Sequence, residues 1–459
     1  MKKPILALVL AAGLLGTSLA AQEGVNSPSE RLRKLIEGLP AIGQQVESTK
    51  LGIRMTVGDH SPRPGDVYEF AAPSDLDRHQ TDLPPLKGRF PDLHLNIPLK
   101  VVPGSVNYLF LSDQPEEIRD DRKRVPAKPG GGDPGPGAVG VYARSPLPGA
   151  APIRVLMDHT NGTKRPLVMW LVWVPEKDSF VSVRKRGESK DKNSVKAGGE
   201  AFVGFSKTIF EPRAYVHAGA SQPLVRMPLT PGVTGVVHLE YTATDKGELF
   251  AAVTEEDQVP TLAELQEMPV LHSIVWEEEI ERLDKFIDPE KNPTRFHRIK
   301  KAFQHARGHF QFPERVGHAS YSVPSWSEKS WPVQVYSVFE STPGVDVTVD
   351  GGATTDNRGK YGARTGFDLE LKELPPGCRE VALVVINRSS PYGGRHWVSN
   401  GRQASEVIYA PGVGSGLLGN KAVSTLWRGP VKRGDRLTMW QEPMANGSVQ
   451  LWYMVVPIP

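Results

Sequence analysis

Between Val345 and Asn357 the chain gathers oxygen ligands, and the chemistry they suggest is a hard cation such as calcium. Asp346, Asp350, Asp356 and Asn357, with the carbonyls of the intervening turn, could supply the several oxygens that calcium takes from a flexible loop. Their spacing matches no EF-hand, and Asp, Asn and Gly also make ordinary turns. A second set is imidazole. His305 and His309 stand four apart and His297 lies two helical turns earlier, but Gly308 is expected to end the helix, and no carboxylate sits between His305 and His309 as a metalloprotease would need. A third feature points to sugars: Trp326 and Trp331 lie in a polar, proline-bounded stretch where exposed indoles could stack on sugar faces, or pack between domains. Gly414 to Gly419 matches G-x-G-x-x-G, yet the residues after it, Ala422 to Trp427, alternate as a strand and open no helix, so a hairpin loop is expected there instead of a nucleotide site. No G-x-S-x-G, H-E-x-x-H or P-loop occurs. The lone Cys378 leaves no intramolecular disulfide and no cysteine-rich zinc site.

The elements that must position these residues are mostly strands. Leu167 to Val174 is an apolar run rich in Val and Trp, opened by a polar turn and closed by Pro175; it reads as a strand buried on both faces. Strand patterns also occupy Val106–Ser112, Val139–Ala143, Ile153–Met157, Phe180–Arg184, Ala201–Phe205, Val236–Tyr241 and Leu249–Val253, the spacing of a two-sheet sandwich. A similar unit returns later. Gly359–Arg364 falls where Val139–Arg144 stood, Phe367–Leu371 where Ile153–Met157 stood, and Val381–Ile386 on the central strand. Thr230–Tyr241 with Lys246–Phe250 likewise resembles Val431–Trp440 with Asn446–Trp452. The expected fold is therefore mostly β, two tandem antiparallel β-sandwiches of immunoglobulin or fibronectin type. Between them Trp276, Ile280, Leu283 and Ile287, then Phe296, Ile299 and Phe303, recur at helical spacing around Asp288-Pro289 and Asn292-Pro293, which predicts an inserted helical hairpin.

Residues 1–21, with Lys2, Lys3, an apolar core and small residues Ser18, Ala20 and Ala21, read as a cleavable signal peptide. Residues 22–104 hold a short helix capped near Ser27 and a proline-rich lead-in; the first sandwich is expected at 105–258, the hairpin at 259–308 and the second sandwich at 309–459. The net charge is +3, about +1 without the two leader lysines, which gives no reason to expect nucleic acid as partner. Basic clusters at Arg119–Arg124 and Arg184–Lys192 are interleaved with acids and read as solvated loops. No run after the leader reaches the ~20 apolar residues of a membrane helix.

DHTNGTKRPL in one half, and VDGGATTDNRGKYG followed by VALVVINRSSPYGG in the other, resemble a group of secreted bacterial tandem β-sandwich proteins. Relatives of that group carry a copper-amine-oxidase-like N-terminal domain, of which no counterpart is visible here. The resemblance spans Val106 to Pro459 and implies a surface location; neither copper nor catalysis follows from it. The function expected is a non-enzymatic exported protein for adhesion, scaffolding or glycan contact, its partner an envelope polysaccharide or a surface protein. The alternatives are a hydrolase of a cell-envelope polymer, with paired carboxylates distant in sequence, and a purely structural surface protein.

Overall fold

The computed structural model describes residues 67–69, 87–89, 99–101, 107–113, 116–128, 130–207, 211–271, 307–311, 314–323, 336–337, 343–346, 353–356, 361–387, 392–410, 417–418, 423–444 and 451–458. The first copy contains β1 (Tyr108–Ser112), β2 (Gly140–Leu147), β3 (Ile153–Asn161), β4 (Leu167–Pro175), β5 (Ser179–Asp191), β6 (Ala214–Val216), β7 (Gln222–Leu229), β8 (Thr234–Ala243) and β9 (Gly247–Thr254). One sheet runs β6-β5-β8-β3-β1 and the facing sheet β7-β4-β9-β2. Every residue of β4 is buried. Leu167, Met169, Leu171 and Trp173 face the sandwich core. Val168, Trp170, Val172 and Val174 face the other way, under a cover that includes Leu265 and Val270. The continuous apolar run thus has its cause: both faces of the strand meet protein.

After β10 (Arg307–Gln311), the second copy uses β11 (Glu314–Ser322), β12 (Arg364–Glu373), β13 (Glu380–Asn387), β14 (Gly394–Ser399), β15 (Ala404–Tyr409), β16 (Val423–Pro430), β17 (Arg436–Pro443) and β18 (Leu451–Ile458). Its sheets run β15-β14-β17-β12-β11 and β18-β13-β16. The two copies match strand for strand: β5-β8-β3-β1 corresponds to β14-β17-β12-β11, and β7-β4-β9 to β16-β13-β18. Each copy carries a parallel pairing in the same place, β1 with β3 and β11 with β12, and in the first copy Glu117–Ile118 and Val270 add parallel pairings to β3 and β2, where antiparallel sheets were expected.

Several expectations need correction. Ala201–Phe205 is no strand but the end of helix α1 (Ser194–Ser206), started by the Asn193 side chain accepting from the Lys196 N–H at 3.1 Å. Glycines on both elements let it lie close on the sheet: a Cβ at Gly187 of β5 would sit 1.8 Å from the Ala201 carbonyl oxygen, and one at Gly204 of α1 would sit 3.1 Å from Gly187 Cα. The basic stretch from Arg184 to Lys192 is not a loop up to Asp191, because β5 continues to that residue against β8. Gly359–Arg364 is not the counterpart of β2, since Tyr361 and Gly362 form a turn and β12 begins at Arg364. The sheets also do not part at 309. β10, and beyond it the strands Pro343–Asp346 and Ala353–Asp356, extend the first copy's sheet past β1, while Leu99–Val101 pairs with β11 of the second. His309 therefore lies on a strand opposite Phe110, and Gly308 (φ 98°) belongs to that strand.

Thr261 and Glu264 form a reciprocal capping box on helix α2 (Leu262–Glu267). The remainder of the expected hairpin, 272–306, lies outside the described residues, as do the leader and the helix near Ser27. Among the described residues no helix is long and apolar enough to cross a membrane.

Candidate binding face and the buried seam that carries it

Trp326, Trp331, Asp350 and Asn357 lie outside the described residues. Asp346 and Asp356 belong to one antiparallel hairpin, Asp346 opposite Ala353 and Asp356 opposite Pro343. They sit three rungs apart on the ladder, roughly 10 Å at strand spacing. Among the described residues no group of three or more His, Cys, Asp or Glu side chains is disposed to hold a metal.

What the fold does assemble is a pair of charged rows. On the outer face of the first copy, cross-strand pairing aligns Lys185 on β5, Glu240 on β8 and Arg154 on β3. On the second copy it aligns Arg395 on β14 with Glu442 on β17; Arg364 on β12 follows one rung beyond the Thr365–Gln441 pair, beside Glu314 on β11. Both rows read plus, minus, plus, on corresponding strands. They meet through Arg154, whose Nη1 donates to Glu442 Oε1 at 2.6 Å and to the Gly362 carbonyl at 2.9 Å, while its Nη2 lies 3.4 Å from Glu240 Oε2. Arg395 donates to the other oxygen of Glu442.

Arg154, Glu240 and Glu442 are all almost wholly buried, so each charge depends on its partners. Burial pushes the Glu442 carboxyl up, but the Arg154, Arg395 and Arg364 guanidiniums outweigh it and hold the pKa down at about 2. The charged heads of the cations lie over rings: Arg154 Cζ and Lys185 Nζ are 5.3 and 5.5 Å from the Phe205 centroid, and Arg364 Cζ is 4.8 Å from that of Trp440. Burial keeps His238, packed against Phe202 and Phe205, neutral, with a pKa lowered to about 4.

The next rungs away from this seam come to the surface. Trp397 pairs with Trp440, and Trp440 with Gly366. A Cβ at Gly366 would lie 2.1 Å from the Met439 carbonyl oxygen and 3.2 Å from Trp440 Cε3, so the missing side chain is demanded first by the backbone of β17 and also leaves room for the indole. Trp397 remains 37% exposed. Two rungs further, on the same face, stand Ser399, Thr438, Asp368 and His318. Asp368 accepts from Thr438 Oγ1 at 3.2 Å, faces His318 Nδ1 at 3.2 Å and pairs with Arg436 at 3.6 Å. The result is a sheet face with two indoles, bordered by hydroxyl, imidazole and compensated carboxylate groups.

Behind it, on the inner side, His396, Gln441 and Thr365 form a second cross-strand row. Tyr453 on the facing sheet donates its hydroxyl to Gln441 and lies 2.9 Å from His396 Nε2. Burial lowers the His396 pKa to about 3. A separate acidic group forms where Asp113 follows β1 and Asp158 lies on β3. Burial, then Glu116 and Asp158, raises the Asp113 carboxyl well above the usual range. The buried Tyr361 hydroxyl is also raised, by burial and then by Asp113, Glu116 and Asp158.

Sequence reasoning reached none of Arg154, Glu240, Glu442 or Trp397. A usable signal existed: a single acid interrupts the apolar strands VVHLEYT and LTMWQEP at corresponding places, and an arginine stands at or next to the first residue of β3 and β12.

No protein-family model and no curated protein matches this chain. Among solved structures it is distantly similar to an anti-sigma factor domain-containing protein, at 9% identity over 74% of this chain and 90% of the other, with a TM-score of 0.14. It is similar at 9% identity to the CUB1-EGF-CUB2 domain of human MASP-1/3, over 73% of this chain and 100% of that one, TM-score 0.15. The tandem CBM51 modules of a family 98 glycoside hydrolase from Streptococcus pneumoniae align at 9% identity over 76% and 99%, TM-score 0.14. Likenesses at these scores carry no argument. The class of protein defined by the fold is a mostly β chain of two related sandwiches.

Proposed function

We propose that this chain is an exported, non-enzymatic envelope or extracellular protein that contacts polysaccharide through the outer face of its second sandwich. The observation that carries the reading is Trp397, exposed on β14 beside a second indole that Arg364 and Gly366 fix in place. Indoles combine a flat apolar face with an N–H, which suits the apolar faces and hydroxyls of sugars. Asp368, Thr438 and His318 supply acceptors and donors two rungs away, and their charges are paired, which favours a neutral polymer over a strongly charged one. The leader-like N-terminus supports export.

The test is retention of the purified protein on peptidoglycan and insoluble polysaccharides. Trp397→Ala is expected to lose retention with unchanged far-UV circular dichroism; retention equal to the parent protein rules this face out. The hydrolase alternative draws on Asp113, a carboxyl that burial, then Glu116 and Asp158, raise well above the usual range, the direction a general acid needs. It predicts release of soluble sugar that Asp113→Asn abolishes, whereas a polymer left intact by the parent protein argues against it.

A further inference from the structure

Aromatic side chains also reach the surface at the opposite end of the first copy, on the terminal strand of its larger sheet. β6 pairs with β5 along one edge and, among the described residues, with nothing along the other. Phe180 and Tyr215 are cross-strand partners, 46% and 50% exposed, with ring centroids 5.2 Å apart. His217 continues the row, its ring 5.0 Å from Tyr215. This order is imposed locally: Asp178 accepts from the Tyr215 hydroxyl at 2.5 Å and from the Ala218 N–H at 2.9 Å. An open strand edge flanked by exposed rings is a template for pairing with another strand.

We propose that β6 pairs antiparallel with β6 of a second copy of this chain, about a two-fold axis at Tyr215. The charges select this occupant. With Tyr215 opposite its own copy, Ala214 faces Val216 and Arg213 faces His217 across the axis. Continued one residue past the ends of β6 and one before β5, the register puts Arg213, Tyr215 and His217 on one face, with Asp178 and Phe180. Arg213 of each copy therefore arrives beside the Asp178 carboxylate that abuts His217, which lies 3.7 Å from it. Two identical Arg213–Asp178 pairs close the contact, as a two-fold interface requires, and the rings join in one ladder, Phe180, Tyr215, Tyr215 and Phe180. The sheets become continuous, and the dimer presents two copies of the Trp397 face, which strengthens attachment to a repeating polymer by effective concentration.

Light scattering on the size-exclusion eluate of the purified full chain tests this. The parent protein is expected as a dimer at micromolar concentrations, and Arg213→Asp and Asp178→Arg each as a monomer, with unchanged circular dichroism. An equimolar mixture of the two variants restores both opposite-charge contacts and should elute as a dimer. A monomeric parent protein overturns the proposal, as does a dimer indifferent to both substitutions or a mixture of natively folded variants that stays monomeric. If Tyr215→Ala loses polysaccharide retention at unchanged mass, the rings hold sugar and not a second copy, which also overturns it.

Discussion

Corresponding strands of the two copies carry the same outer charges over different interiors. The rows Lys185–Glu240–Arg154 and Arg395–Glu442–Arg364 alternate identically. The inner row beside the first is Val183, Tyr241 and Ile153, part of an apolar core; the inner row beside the second is His396, Gln441 and Thr365. Both copies keep an apolar core, and the first adds α1 on its outer face, where Ala197 and Ala201 pack with Leu156 and Val236. In the second copy the outer face turns to solvent two rungs from the seam, and the polar row His396, Gln441 and Thr365 lies on the inner side between them. A retained charge pattern over a changed core teaches that the joint between the copies constrains the outer row, while each interior needs only to fill its own space.

The largest effect should come from breaking the joint on one side. Arg154→Met leaves Glu240 and Glu442 buried without their shared cation and should lower unfolding free energy by about 3–5 kcal/mol, the usual cost of stranding one member of a buried pair. Arg364→Met, the corresponding change in the second copy, removes a partly exposed cation and should cost about 1 kcal/mol. Urea midpoints at constant slope measure both; equal losses would erase the asymmetry between the rows.

Acid should act next, through histidines that the fold holds neutral. His396 and His238 have folded pKa values lowered to about 3 and about 4, against roughly 6.5 in the unfolded chain. A depressed folded pKa means that their contribution is complete above the unfolded value and is lost as pH falls toward the folded one. The melting temperature should therefore drop on acidification below roughly pH 6.5, and His396→Gln should flatten that slope. An unchanged slope in this variant would deny the second interior its pH sensitivity. Asp113 has the opposite sign. Its raised carboxyl favours the folded state in acid and loses that advantage as pH rises through the folded pKa, so Asp113→Asn should raise the melting temperature more at alkaline than at acid pH. The smallest expected effect is the pair Gln441→Met with Tyr453→Phe, which removes both partners of a buried hydrogen bond and should change stability by under about 1 kcal/mol.

The strands and the duplication were legible in the sequence because burial writes a period, or a continuous run as in Leu167–Val174, directly into the chain. α1 was missed because Gly198, Gly199 and Gly204 dilute its helical pattern; Gly204 suits close packing on Gly187 better than it suits an isolated helix. The seam was hidden for a different reason. Arg154 and Glu442 are 288 residues apart, and a lone charge in a strand does not announce whether it meets water or a distant counterion. Trp397 was passed over because alternation in β14 marks it as outward-facing without revealing that Trp440 and Gly366 lie beside it.

The claim that the two copies form one body through the Arg154–Glu442 joint is tested most directly by calorimetry on the purified full chain. A single unfolding transition is expected for the parent protein, and Glu442→Gln should uncouple it into two transitions, the lower assigned by tryptophan fluorescence to the second copy. Two separate transitions in the parent protein, or a Glu442→Gln thermogram that superimposes on it, would contradict the account.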